Sequence, residues 1–219
     1  MEQTIKIRNE RKSDQAVVES ITRKAFYNLY RPGCVEHYLV HLMRTHKDFI
    51  AELDFVLELN GEVIGNIMYT KAKLINEEGH QKDILTFGPV CILPAYQRMG
   101  FGKKLMEHSF KKAVELGYDV IVIFGSPSNY VCRGFKSCKK YNVCLENNKY
   151  PAAMMVKELI PHALDNHQWI YKDSPVMAVN EEEAQRYDDT LEPMEKKYLP
   201  SQDEFFIMSH SFIEDSETE

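Results

Sequence analysis

An apolar segment and an amphipathic one are joined by Gln97-Arg98-Met99-Gly100-Phe101-Gly102-Lys103. The residues before this stretch are mostly apolar, as in a central strand buried on both faces, and those after it have apolar residues at helical spacing. The first turn of a helix has backbone N–H groups without partners and carries partial positive charge. Glycine lets the main chain approach a phosphate closely. The stretch therefore predicts a diphosphate-binding turn, to which Arg98, Lys103 and Lys104 add positive charge.

Other interpretations of this turn are weaker or remain open. The Gly-Lys-Ser/Thr ending of a P-loop for nucleoside triphosphates is absent. The turn does not follow an N-terminal strand of a βαβ unit that has an acidic residue about 20 positions on, so a dinucleotide fold is not indicated. Two glycines can also serve close packing alone. Spacing by itself leaves phosphate binding and close packing both open.

Hydrophobic periodicity predicts alternating strands and helices around this turn. Asn60-Gly61 is typical of a hairpin turn, and Gly117 and Gly134 are expected to end helices. The inner side of the helix after the glycine turn is expected to carry Leu105, Met106, Ser109, Phe110, Ala113 and Val114. The predicted strands are 5–7, 53–59, 63–74, 83–93, 120–124, 139–145 and 152–159. The predicted helices run from Ser13 or Asp14 to the break at Pro32-Gly33, and over 35–43, 101–116 and 126–132.

Strands, a crossover helix and further strands predict an α/β or α+β fold with one sheet layer and helices on both faces. Residues 1–165 are predicted to form the main domain. Residues 166–219 contain the only tryptophan, Trp169, and a helical stretch near 181–186, and are predicted to form an extension packed on that domain. The acidic end, 213–219, is predicted to be disordered. The extension could complete a binding pocket or a dimer interface, and the sequence does not decide between them.

Composition excludes several classes of function. The 219 residues carry a formal net charge of -6, so the chain offers no broad basic surface for nucleic acid. No apolar run is long enough to cross a membrane, and the charged N-terminus lacks a secretory signal. The five cysteines fit no zinc spacing, and the histidines are scattered, so no metal site is predicted. Free thiols in a reducing cytoplasm are the expected state.

Three motifs together resemble the GNAT family of N-acetyltransferases. Gln97-Arg98-Met99-Gly100-Phe101-Gly102 is similar to that family's acetyl-CoA motif, and the segment 88–97 before it looks like the family's fourth strand. Downstream, 129–135 resembles the helix and Gly-Phe turn that close the cofactor site. The motifs occur in the family's order, and the likeness covers about two-thirds of the chain. It implies a mixed, mostly antiparallel central sheet and acetyl-CoA as acyl donor.

The resemblance also implies roles for individual residues. The backbone of Met99, Gly100, Phe101 and Gly102, with Gln97, Arg98 and Lys103, would hold the pyrophosphate. Cys91 and Ile92 would pair with the pantetheine arm like an added strand, and Asn129 would contact that arm or its thiol end. The Ile92 N–H would donate to the thioester oxygen. Tyr130 would be the general acid that protonates the departing thiolate. The reaction implied is direct attack of a neutral amine on the thioester.

The acceptor side is poorly determined by the sequence. Glu52, Asp54, His80 and Asp83 are weighed as general bases, but each is more often a solvated surface residue, and none is assigned. Tyr27, Tyr30 and His37 lie on helices that wall the acceptor groove in the GNAT family, but the favoured interpretation is that they are ordinary amphipathic-helix residues. Cys91 and Cys132 are expected to be packing residues rather than nucleophiles. An acidic chain favours a cationic acceptor such as a polyamine, an aminoglycoside or lysine, on weak evidence.

Three alternatives remain open at this point. The chain could be a non-catalytic acyl-CoA sensor or regulatory module, although a retained tyrosine at position 130 argues against that. It could be an interaction protein whose acidic extension is the active surface. It could also keep the fold while using another acyl group or a hydroxyl acceptor, since a fold does not fix a function.

Overall fold

The computed structural model describes residues 4–214. The strands are β1 (Ile5–Asn9), β2 (Phe55–Leu59), β3 (Glu62–Asn76), β4 (Gln81–Ile92), β5 (Val120–Phe124), β6 (Lys136–Ser137), β7 (Val143–Cys144), β8 (Met154–Glu158) and β9 (Trp169–Lys172). The helices are α1 (Gln15–Phe26), α2 (Glu36–Met43), α3 (Phe101–Glu115), α4 (Pro127–Tyr130), α5 (Glu181–Asp188) and α6 (Pro200–Ser209). Short 3-10 helices lie between several of these elements.

All of these strands belong to one mixed sheet with the order β1-β2-β3-β4-β5-β8-β6, and β9 pairs with both β3 and β7. In the described part of the chain, the β4–β5 and β7–β9 pairs are parallel and the other pairs are antiparallel. Asn60 and Gly61 join β2 to β3 with φ of 53° and 88°, the left-handed backbone that a tight hairpin needs. The predicted fold class, a mostly antiparallel α/β sheet, is confirmed.

Helices cover both faces of the sheet. Phe55 and Leu57 of β2 belong to the same apolar cluster as the inner side of α3. Val56 and Met68 point to the opposite face, where they pack with apolar residues of α1 and α2. Val56 is fully buried like Phe55 and Leu57, so β2 buries residues on both of its faces. A strand inside a three-layer structure has no solvent face.

Strand β4 carries a bulge that opens the sheet. Ile67 pairs with Val90 and Tyr69 with Phe87, so two residues of β4 lie opposite one residue of β3. These two residues are Gly88 and Pro89, and proline is tolerated at a bulge because it has no N–H to donate. On its other edge β4 pairs with β5 at Leu85 alone. Beyond that point the two parallel strands separate and leave a groove between them.

Several predicted boundaries were wrong. Helix α1 ends at Phe26, well before Pro32, because Asn28 turns into a left-handed conformation and its side chain accepts the Gly33 N–H. Val17 and Val114, predicted on inner faces, are 40% and 37% exposed. Leu53 lies in a 3-10 turn before β2. The predicted strand 139–145 is reduced to β7, because a 3-10 helix occupies Cys138–Tyr141.

The C-terminal segment is joined closely to the rest of the chain. Strand β9 extends the sheet by pairing Tyr171 with Leu74 of β3, and Trp169 is buried. A buried ion pair, 2.7 Å from Arg23 Nε to Asp188 Oδ1, connects α1 to α5. The domain division at residue 165 stays a prediction, although β9 shares the central sheet. The predicted disorder of the acidic end falls mainly on 215–219, outside the described residues.

Within residues 4–214, none of the helices combines the length and the hydropathy needed to cross a lipid bilayer.

Replacing Trp169 by alanine should destabilise the whole fold, because β9 is part of the central sheet. Removal of a buried indole costs about 3–5 kcal/mol, and urea unfolding monitored by circular dichroism measures it. Tyr198→Ala is the control, since Tyr198 is 66% exposed. A change at Trp169 below about 1 kcal/mol would mean that β9 is not integral to the core.

Candidate active site

The groove between β4 and β5 continues into a cleft of about 840 Å³. One half of the cleft is lined by β4, by the start of α3 and by α4. The other half is lined by α1, α2, the segment after β9 and α6. The predicted site residues Cys91, Ile92, Gln97, Arg98, Gly100, Gly102, Lys103, Asn129 and Tyr130 all lie along this cleft. The fold thus brings together residues that are up to 39 positions apart in the chain.

The turn before α3 presents a row of unpaired backbone donors. Gly100 precedes the helix in a left-handed conformation with φ of 85°, and Arg98 also has a positive φ of 62°. The first intrahelical bond is donated by Lys104 to the Gly100 carbonyl. In the described structure, the N–H groups from Arg98 to Lys103 donate to no protein acceptor. Such amides at a helix N-terminus can bind an anion.

Met99 and Phe101 belong to the same turn but have opposite surroundings. Met99 is 57% exposed, whereas Phe101 is buried in the core below α3 and fixes the start of the helix. Neither side chain lines the cleft, so each residue can offer a ligand there only its backbone N–H. Lys103 is exposed and lies 3.7 Å from Glu107 across one helical turn, a surface pair that leaves its ammonium group mobile.

The Ile92 amide faces the groove, as the sequence predicts. Leu93 donates its N–H to Ile64 and Cys91 is in register with Asn66, so the intervening Ile92 N–H points away from β3. The Ile92 carbonyl accepts from the Gln97 side chain at 3.0 Å, which ties the glycine turn to β4. The Gln97 amide therefore positions the turn.

The same alternation corrects the assignment of Cys91. Its backbone lies on the side of β3, and its thiol packs 3.4 Å from the Thr22 hydroxyl on the opposite face of the sheet. Val90 is two residues before Ile92 and shares its backbone orientation. Val90, rather than Cys91, is thus the second residue of β4 whose amide faces the groove.

Tyr130 is held in place by apolar packing. Its ring lies 5.9 Å from that of Phe87 and 5.7 Å from that of Phe135, centroid to centroid. A methyl group on Gly125 would lie 2.6 Å from the tyrosine ring, so glycine is required there for the ring to fit. Burial raises the pKa of Tyr130, and the nearby Tyr30 phenol adds to that rise. The hydroxyl therefore stays protonated at neutral pH.

Asn129 and Arg133 flank Tyr130 on the α4 side of the cleft. Asn129 is exposed, with its backbone bonded to Ser126. Arg133 lines the cleft, and its buried Nε has no hydrogen-bond partner within residues 4–214. Sequence reasoning used Arg133 only as part of a motif and missed it as a binding residue. Its positive charge, four residues after Asn129 in the same motif, was the signal that could have identified it.

The four residues weighed as general bases are not in the cleft. Glu52, His80 and Asp83 are exposed elsewhere on the surface. Asp54 is buried and accepts a hydrogen bond from Asn66 at 2.9 Å; burial and the neighbouring Glu10 raise its pKa. These residues were considered as general bases because of their residue type alone, and the fold places each of them outside the cleft.

Of the three aromatic residues predicted near the acceptor, only Tyr30 lines the described cleft. Tyr27 donates its hydroxyl hydrogen to the Met194 carbonyl. His37 is fully buried, with its Nε2 3.2 Å from Asp188. Tyr27 therefore holds the C-terminal segment by a hydrogen bond, and His37 packs against Tyr187 of that segment.

The charged groups that line the cleft are separated by sign. Arg98, Lys103 and Arg133 give the half near α3 three positive charges. The other half contains Arg31 and three carboxylates, namely Glu36, Asp173 and Glu181. An elongated ligand with an anionic end and a cationic end would therefore be oriented along the cleft. Among the described residues, no group of three or more His, Cys, Asp or Glu side chains could hold a metal ion.

Comparison with known proteins agrees with this geometry. The model of the acetyltransferase (GNAT) family matches residues 23–135, which is just over half of the chain. The chain belongs to the GNAT family. The matched region of this GNAT acetyltransferase runs from α1 to Phe135 and so includes the glycine turn, the groove and Tyr130.

Individual relatives support the assignment. This GNAT protein is 26% identical over 128 residues to the uncharacterized N-acetyltransferase YjhQ of Escherichia coli strain K12, which covers 58% of this chain and 67% of the relative. A GNAT family acetyltransferase from Brucella melitensis, solved in complex with acetyl-CoA, is 26% identical with a TM-score of 0.62, covering 80% of this chain and 98% of that one. The E. coli GNAT family N-acetyltransferase YhbS, solved with CoA, has a TM-score of 0.69 at 20% identity, covering 80% and 92%, and shows the shared fold.

The cysteines of this GNAT enzyme should differ sharply in reactivity. Cys132 is exposed, whereas the other four thiols are buried. Burial raises the pKa of Cys34 to about 12 and that of Cys91 to about 11, which suppresses their thiolates. A dithionitrobenzoate assay at pH 8 should show a single fast thiol, and Cys132→Ser should remove it. A second fast thiol in the native protein would contradict the described packing.

Proposed function

We propose that this protein transfers the acetyl group of acetyl-CoA to a primary amine by direct attack. One observation carries the proposal, namely that unpaired amides at the start of α3, the inward Ile92 amide and the Tyr130 phenol all border one cleft. The complex of the Brucella melitensis relative with acetyl-CoA supports the choice of donor. Membership of the GNAT family supports the reaction class.

The donor fits the described groups in three places. Its diphosphate would bind the backbone N–H groups from Arg98 to Lys103, assisted by the Arg133 guanidinium. Gly102 supports this fit, because its missing side chain leaves the helix start close to Ile92. The pantetheine amides would pair with the free edge of β4 at Val90 and Ile92, as an added strand does. Asn129 would border the thiol end.

The chemistry uses two groups of the chain. The Ile92 N–H would donate to the thioester oxygen as negative charge develops there, and a fixed backbone amide needs no reorganisation to do so. The nitrogen–carbon bond forms and the carbon–sulfur bond breaks. Tyr130 would give its proton to the departing thiolate and recover one from the nitrogen of the new amide. Its raised pKa keeps the phenol in the protonated state that this role requires.

The state of the cysteines supports a function in a reducing cytoplasm. All five thiols are free, and four of them are buried in separate surroundings. Disulfides form in oxidising compartments, whereas a reducing compartment keeps thiols free.

Acetyl-CoA should raise the melting temperature of the native protein, because a ligand that binds only the folded state stabilises it. Gly102→Ala should remove much of this shift, since the added methyl group would lie 3.7 Å from Ile92, between the helix start and β4. At least tenfold weaker binding is expected, about 1.4 kcal/mol. Without ligand, Gly102→Ala should be as stable as the wild type or more so. Lys111→Ala, further along α3, is the control; an absent shift in the wild type would refute the proposal.

Replacing Tyr130 by phenylalanine should lower kcat about 100-fold while the dissociation constant of acetyl-CoA changes little, because general acid catalysis contributes on this scale. Release of CoA with a panel of amines measures kcat, and calorimetry measures binding. Tyr141→Phe, outside the cleft, is the matched control. An unchanged kcat would remove Tyr130 from the mechanism, and binding without CoA release from any amine would indicate a sensor.

A further inference from the structure

The half of the cleft remote from the glycine turn is walled partly by the C-terminal segment. Phe26 and Tyr30 contribute aromatic surface from the α1 region, and Phe205 of α6 lies against Tyr30 with ring centroids 4.6 Å apart. Met177 and Val179, which follow β9, complete this lining. The pocket is therefore largely apolar, and three of these five side chains come from residues after 165.

Helix α6 is held against the α1 region by side-chain hydrogen bonds. Ser201 donates to the Leu29 carbonyl at 2.8 Å. The buried Gln202 donates to the Asn28 carbonyl at 3.0 Å and to Lys197 at 2.9 Å. These bonds lie one helical turn before Phe205, so they fix the position of its ring in the cleft wall.

One carboxylate in this pocket has no cationic partner. Glu36, the first residue of α2, is half-buried and accepts the Val35 N–H at 3.0 Å. Within residues 4–214 no ion pair joins it to a lysine, arginine or histidine. Burial raises the pKa of Glu36, and the charge of the nearby Arg31, which is paired with Glu181, only partly opposes that rise. Asp173, the third carboxylate of the cleft, accepts the Ser174 N–H and is exposed. A desolvated carboxylate without a counter-ion is unfavourable, and a bound ammonium group would relieve that cost.

Glu36, Tyr30 and Tyr130 line the same cleft. Burial raises the pKa of Tyr30, and the Glu36 carboxylate adds to that rise. Burial also raises the pKa of Tyr130, and the Tyr30 phenol adds to it. Tyr30 is therefore within electrostatic range of both the carboxylate and the proposed general acid.

We propose that the acceptor is an apolar primary amine, whose ammonium group binds Glu36 and whose hydrocarbon or aryl group packs on Phe26, Tyr30 and Phe205. This inference rests on the proposed acetyl transfer and deepens it. The ammonium ion gives one proton to the Glu36 carboxylate, which releases it to water, and the neutral amine attacks the thioester. The second proton leaves the new amide nitrogen and reaches the CoA sulfur through Tyr130. The products are the N-acetylamine, CoA thiol and one released proton.

The pocket disfavours the more polar amines. A polyamine would have to give up the hydration of a second ammonium group at the aromatic wall. An amino sugar would leave hydroxyl groups without hydrogen-bond partners there. Phe26, Tyr30 and Phe205 provide the surface that a phenyl or alkyl group would bury. The C-terminal segment therefore acts as part of the acceptor site and determines its specificity.

The test compares 2-phenylethylamine and hexylamine with ethylamine, spermidine and glucosamine, each with acetyl-CoA and the full chain, by CoA release. The two apolar amines should have kcat/KM values at least tenfold above those of spermidine and glucosamine. Glu36→Gln should lower kcat/KM for 2-phenylethylamine roughly 30-fold or more, because an anchoring charge is lost. Glu182→Gln, on an exposed carboxylate of α5 outside the cleft, should change it less than about threefold.

Phe205→Ala should raise KM for 2-phenylethylamine about tenfold and leave that for ethylamine unchanged. Phe206→Ala, on the neighbouring 61% exposed residue of α6, should affect neither. Thermal stabilisation of each variant by acetyl-CoA shows whether donor binding is intact. If the wild type is not stabilised, acetyl transfer itself is refuted. If it is stabilised but no amine releases CoA, the sensor alternative holds and both proposals fail. If spermidine or glucosamine is preferred, or Glu36→Gln and Phe205→Ala behave as their controls do, only the apolar-amine inference fails.

Discussion

The separation of β4 from β5 is the constraint on which the rest of this structure depends. Paired strands satisfy each other's backbone groups, but β4 pairs with β5 at Leu85 alone and then bends at Gly88-Pro89. The amides beyond the bulge are left without a strand partner on that edge. The same opening exposes the start of α3, where further amides are unpaired. Binding of an amide-rich, diphosphate-bearing molecule there would satisfy donors that the fold leaves free.

Packing around the groove fixes the positions of the groups that line it. The Gln97 side chain ties the glycine turn to the Ile92 carbonyl, so two sets of free donors are held in a fixed relation. Glycine at position 125 admits the Tyr130 ring at the end of β5. Positive charge collects near α3 and carboxylates collect at the other end of the cleft. This geometry would orient a donor and an acceptor toward each other.

The sequence was sufficient to predict the turns, because their conformation depends on neighbouring residues in the chain. The turn at Asn60-Gly61 and the glycine turn before α3 follow from backbone conformations that few residues adopt, so their positions could be predicted. The burial of Val56 could not be predicted from β2 itself, because it depends on packing against α1 and α2. The contributions of Glu36 and Phe205 to the cleft could not be predicted, since they require α2 and α6 to meet across more than 160 residues. Gly88-Pro89 within an apolar strand was the available signal of the bulge.

The central claim is that unpaired amides of β4 and α3 bind the donor, and an amide-resolved NMR titration with acetyl-CoA tests it most directly. The largest shift changes are expected at the N–H groups of Ile92 and of the residues from Arg98 to Lys103, with a smaller change at Val90. The Cys91 N–H, which faces β3, should move less than the amides on either side of it. Saturable changes confined to another surface, with the amides from Arg98 to Lys103 unaffected, would contradict the account.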